Sequence, residues 1–63
     1  MIKGIEFVLT NGSRDWYDPV DLDTGFSKTE LEYIIQVNAN TYTLLKKDVV
    51  SFKYYDLEGV SND

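Results

Sequence analysis

The sequence predicts an all-β domain, a small twisted antiparallel sheet or open barrel of about five strands with room for one short helical turn. Three observations predict it. β-branched and aromatic residues fill 24 of the 63 positions, against a single Ala, Ala39; such side chains suit a pleated, half-buried surface, whereas helices draw on Ala and unbranched residues. Apolar and polar residues alternate with a period of two in several short stretches. Turn chemistry separates those stretches at short intervals.

The first stretch covers residues 2–10, where Ile5, Phe7 and Leu9 alternate with Glu6, Val8 and Thr10. Asn11-Gly12-Ser13 follows, and Asn and Gly both accept the positive φ of a tight turn. If Asn11-Gly12 closes a two-residue hairpin, Arg14-Asp15-Trp16-Tyr17 is the returning strand. That strand is expected to stop by Asp18-Pro19, because proline cannot donate to a ladder. Residues 18–25 then form an irregular acidic loop closed by Gly25.

Residues 28–37 carry two signals. Ser27-Lys28-Thr29-Glu30 matches a helix capping box, with Leu31, Ile34 and Ile35 at helical spacing. Leu31, Tyr33, Ile35 and Val37 also alternate strictly with polar or outward positions, and β-branched and aromatic side chains are poor choices for a short helix. The expectation is a strand over 28–37. Asn38-Ala39-Asn40 closes a hairpin as a three-residue loop, and Thr41 to Leu45 pairs back with Tyr42 and Leu44 on one face. Lys46-Lys47-Asp48 makes a polar break long enough for one helical turn. The final strand covers about 49–57, where Val50, Phe52 and Tyr54 alternate with Ser51, Lys53 and Tyr55. Residues 58–63 are expected to fray. The chain therefore reads as one domain over 1–63 with an ordered core of about 2–57, near the lower size at which a core sustains folding without disulfides or metal.

Composition excludes much chemistry. The sequence contains no Cys and no His, so disulfides, thiolate zinc sites, Cys nucleophiles and the usual neutral-pH general base are absent. Ser and Thr lack a His partner, and a chain this short has little room for a substrate pocket, so no enzyme, cofactor, metal or small-molecule substrate is expected. No stretch approaches the length of a membrane-spanning helix, and the charged N-terminal segment does not read as a signal peptide. A cytoplasmic location is expected.

The net charge is −5, and it is unevenly spread. Residues 15–32 carry Asp15, Asp18, Asp21, Asp23, Glu30 and Glu32 against Lys28 alone, so this segment equals the whole excess. Such a field disfavours direct contact with nucleic acid or anionic membranes. A solubilising surface accounts for it.

The most distinctive constellation is Asp15, Trp16, Tyr17, Asp18, Asp21 and Asp23. Two readings compete for it. Trp and Tyr beside carboxylates form a candidate interaction patch of large, rigid contact area. Alternatively the single Trp plugs the core, as it usually does in a small domain, while Asp18 caps the turn that Pro19 begins. Asp21-Leu22-Asp23-Thr24-Gly25 is similar to the front of a calcium loop, but Thr24 directly precedes the glycine and Leu31 stands where the closing Glu belongs, so the pattern is incomplete. Tyr33, Tyr42, Tyr54 and Tyr55 could stack bases, with Lys46, Lys47 and Lys53 beside them, but cross-strand aromatic packing explains them better.

The layout, with local hairpins and a short turn before the last strand, is similar to SH3-like and Sm-like barrels in topology alone. Asp15-Trp16-Tyr17-Asp18-Pro19 together with the run Tyr42 to Tyr55 resembles small acidic proteins of tailed phages and prophages of Gram-positive bacteria. That resemblance implies a phage or prophage origin, a bacterial host cytoplasm and no particular activity. The expected function is a non-enzymatic accessory protein acting through contact with a protein partner or by self-association. An acidic DNA mimic that occupies a host protein's basic cleft, and a minor virion component, are the alternatives.

Overall fold

The computed structural model describes residues 1–57. Six strands run in chain order: β1 (Ile2–Leu9), β2 (Arg14–Asp21), β3 (Phe26–Lys28), β4 (Glu32–Val37), β5 (Asn40–Leu45) and β6 (Val49–Tyr55), with a single 3₁₀ turn at Lys46–Asp48 before β6. They form two three-stranded sheets, ordered β2-β1-β6 and β3-β4-β5. All pairings are antiparallel. The all-β expectation holds, as does the one-turn break before the final strand. The expected fraying of 58–63 lies outside the described residues.

The core lies between the sheets. Ile5, Phe7, Val20 and Ile35 are fully buried, with Leu9, Tyr17, Phe26, Tyr33, Val37, Leu44 and Phe52 packed around them. Phe7 sits at the centre of an aromatic cage, its ring centroid 5.8 Å from Tyr17, 5.6 Å from Tyr33 and 5.4 Å from Phe52. In so small a core this one side chain touches both sheets, and aromatic pairs at these distances add to simple area burial.

Four details differ from the sequence reading, each for a physical reason. The first hairpin is not a two-residue Asn-Gly turn. Leu9 N–H donates to Ser13 O at 2.9 Å and Gly12 N–H to Leu9 O at 2.9 Å, while Gly12 takes φ 90°, the arrangement of a type I turn followed by a glycine bulge. The extra residue slips the register by one, and a slip of one exchanges the two faces of a strand.

Second, β2 does not stop at Pro19. It runs through a cis Asp18–Pro19 bond to Asp21. β2 lies at a sheet edge and its register against β1 shifts between Lys3 and Ile5, so the ladder loses little at the residue without an N–H.

Third, residues 28–37 are not one strand. β3 and β4 form a hairpin around Thr29, whose Oγ1 accepts N–H bonds from Leu31 at 3.3 Å and Glu32 at 3.0 Å. The apparent capping box is thus a Ser/Thr turn, and the described residues form six strands rather than about five. Fourth, β5 begins at Asn40, which pairs with Val37. The loop is Asn38-Ala39, with Asn38 at φ 56°.

Between β2 and β3 the chain turns at Asp21–Gly25, where Gly25 N–H and Thr24 N–H both approach the Asp21 carbonyl, at 2.5 and 3.2 Å. A Cβ on Gly25 would meet the Asp21 and Gln36 carbonyl oxygens at 2.9 and 3.2 Å. This corner carries the chain from one sheet to the other.

Candidate functional site

Because the glycine bulge sets the phase of β2, Glu6 rather than Phe7 stands opposite Trp16, and Ile5 stands opposite Tyr17. Trp16 therefore points to the outer face and is 59% exposed. It does not plug the core. Tyr17 takes the inward role, edge-on to Phe7 and 5.3 Å from the Tyr42 ring. Burial, then the neighbouring Asp15 carboxylate, push the Tyr17 hydroxyl above its ordinary value.

The outer face of the first sheet is built around Glu6, buried although charged. Arg14 Nη1 approaches Glu6 Oε2 at 3.3 Å from β2, and Lys53 Nζ approaches Oε1 at 3.5 Å from β6. A carboxylate held out of water needs such partners, since an unpaired buried charge is costly. Beside this cluster the Tyr55 ring covers Gly4, and its hydroxyl donates to Asp18 Oδ2 at 2.5 Å. Burial first, then the Asp18 carboxylate, push the Tyr55 hydroxyl up to about 12.

Along the edge of β2 a cleft of about 490 Å³ is lined by Arg14, Asp15, Trp16, Tyr17, Asp18, Val37 and Tyr42. Four of the six residues singled out in the sequence (Asp15, Trp16, Tyr17 and Asp18) thus meet at one place. Asp21 and Asp23 do not join them. Asp21 lines a separate hollow with Pro19, Gln36 and Asn38, and it accepts the Asp23 N–H at 3.0 Å. That bond is the main cause holding its carboxyl below the ordinary range. Asp23 lies 3.1 Å from the Met1 amino group. Among the described residues no three carboxylates are placed together as a cation site requires.

The reading of the sequence missed Arg14, Val37 and Tyr42. The first is adjacent to the motif and could have been included. The other two come from the second sheet, and nothing local in the sequence announces that they approach β2. The four tyrosines considered as a stacking platform are dispersed. Tyr33 and Tyr54 pack among Phe26 and Phe52, Tyr42 packs on Tyr17, and Tyr55 lies over Gly4 on the opposite face.

No protein-family model matches the chain, and no curated protein or solved structure shows a significant match to it.

Proposed function

We propose that this chain is a non-enzymatic interaction domain, an accessory protein of phage or prophage type, that contacts a protein partner through the open edge of β2 and the exposed face of Trp16. The observation that carries the reading is Trp16 itself. Its neighbour Tyr17 fulfils the core role, so the largest side chain in the chain is left in solvent, 59% exposed, beside an open cleft. Trp and Tyr supply the anchors of protein interfaces because they bury large area with few rotatable bonds. An unpaired strand edge adds backbone groups that a partner strand can use.

Charge supports partner contact more than nucleic-acid mimicry. Asp18 is engaged by Tyr55, Asp21 by a backbone N–H and Asp23 by an amino group, so these carboxylates do not form a free row resembling phosphates. The test is retention of a protein from bacterial lysate on the immobilised chain, compared with Trp16→Ala. A protein held by the parent and lost by a variant of unchanged circular dichroism supports the reading. Equal retention by both ends it, as does retention by neither from a chain that does not self-associate.

A further inference from the structure

β2 is the last strand on its side of the first sheet among the described residues, and its unpaired edge has a defined phase. The Leu9 N–H to Ser13 O bond marks Leu9 and Ser13 as a hydrogen-bonded pair. In an antiparallel ladder the residues of such pairs alternate. Ser13, Asp15 and Tyr17 therefore turn their backbone groups toward β1, while Arg14, Trp16 and Asp18 turn theirs outward. Arg14 and Trp16 thus present a donor and an acceptor each, and Asp18, beyond which the register shifts, presents a donor, next to the open cleft.

The side chains at those positions are complementary to themselves. Antiparallel pairing of Arg14–Asp18 with a second copy, centred on Trp16, sets Trp16 against the partner's Trp16. The same register sets Arg14 opposite the partner's Asp18 and Asp18 opposite the partner's Arg14. Asp15 falls opposite the partner's Tyr17, a carboxylate facing a phenol. Opposite charges and aromatic pairs facing one another across strands are stabilising, and like charges are not. We infer that the chain forms a two-fold dimer by edge-to-edge pairing of β2 about Trp16, joining the two first sheets into one.

The other edges carry no such code. β5 has no charged residue, β3 has Lys28 alone and β6 has Lys53 alone, so charge selects no self-pairing register there. On β2, Arg14 Nη1 is 3.3 Å from Glu6 in the single chain, and its guanidinium retains further donors for a second carboxylate. Asp18 Oδ2 receives the Tyr55 hydroxyl, which leaves Oδ1 for the incoming arginine. The contact is isologous, so it closes at two copies and does not propagate into a fibre. The cleft beside Val37 and Tyr42 receives the partner residues on the inner side of the ladder.

This inference rests on the interaction role proposed above and names a second copy as the occupant of the edge. Sedimentation equilibrium of the full chain, and of Arg14→Asp and Asp18→Arg alone and mixed, tests it. The parent should pass from monomer to dimer with concentration. Each variant alone places like charges in both end pairs and should dimerise at least about tenfold more weakly. Mixed in equal amounts they restore opposite charges in both pairs and should form a heterodimer. Amide exchange on the parent chain gives a readout that needs no variant: protection at Arg14, Trp16 and Asp18 should rise with concentration, while Asp15 and Tyr17 are already protected in the monomer. A parent that stays monomeric to about millimolar concentration overturns the dimer, as do variants that associate like the parent, a mixture that gains nothing, or protection that grows along β5 or β6. A monomeric chain that still retains a Trp16-dependent lysate protein overturns the dimer alone and leaves the interaction role standing.

Discussion

The Tyr55 ring lies directly over Gly4, its register partner on β1, and its hydroxyl reaches past β1 to Asp18 on β2. One side chain from β6 therefore spans the whole width of the first sheet. The contact exists because position 4 has no side chain: a Cβ built there would overlap Cζ and Cε2 of the ring.

Gly4→Ala should consequently cost about 1–3 kcal/mol, the range of overpacking in a filled site, read from urea unfolding. The penalty should shrink sharply in a Tyr55→Ala background, because the two positions share one clash and are not additive. Equal penalties in both backgrounds would show that the ring is not what forbids the methyl group.

The Tyr55 hydroxyl supplies a pH prediction. Its folded-state value, about 12, exceeds the ordinary 10.0, so the folded chain holds this proton more tightly than the unfolded chain does. The associated stability is intact below pH 10 and falls as pH rises toward 12. Tyrosinate absorbance should contain a late-titrating component that Tyr55→Phe removes, while the raised Tyr17 hydroxyl stays in place. Asp18→Asn should move that component down without returning it fully to the ordinary value, because burial is the larger cause.

Trp16 is the sole tryptophan, so its fluorescence reports one site. In dilute solution the emission should be red-shifted and readily quenched by iodide. Trp16→Ala should change the unfolding free energy by under about 1 kcal/mol, as exposed substitutions do. A blue-shifted, protected emission at low concentration would place the indole in a core and contradict the register described above.

Phe7 is the opposite case. Truncation to Ala removes the ring that meets Tyr17, Phe26, Tyr33 and Phe52, at about 3–5 kcal/mol for a buried Phe. That is comparable with the whole stability of a domain this small. The variant should show largely unfolded circular dichroism at room temperature, whereas Phe7→Leu should remain folded with a lowered midpoint.

The contrast between Trp16 and Tyr17 also explains what was legible in the sequence. β1, β5 and β6 carry enough alternation to be found unaided, and β4 reads only as the second half of a single strand over 28–37; the inward residues Phe7, Ile35, Leu44 and Phe52 follow from that alternation. The face that β2 presents does not, because it depends on whether the turn at 10–12 has two residues or a bulge. Gly12 at φ 90° decides this, and both versions read as Asn-Gly. β3 is three residues long, too short for any period to register. Pro19 reads as a strand end because it cannot donate to a ladder, a cost that is small on an edge strand such as β2. Of the candidate site, the motif 15–18 was visible, while its completion by Val37 and Tyr42 depends on how the sheets are set against each other.

The strand order of the first sheet also sets the sequence of events during folding. The second sheet, β3-β4-β5, consists of adjacent hairpins whose partners meet across short loops, and such contacts form early and quickly. β1 can pair locally with β2, but its other neighbour is β6, with Gly4 opposite Tyr55 and Phe7 opposite Phe52. Closing that pair means bringing together nearly the two ends of the described chain, the slowest class of contact for loop-closure entropy to permit. During synthesis, Ile5 and Phe7 therefore wait half-covered, on a strand with an open side, until residues 49–55 have emerged. The interval between those events is when this chain is most exposed to aggregation.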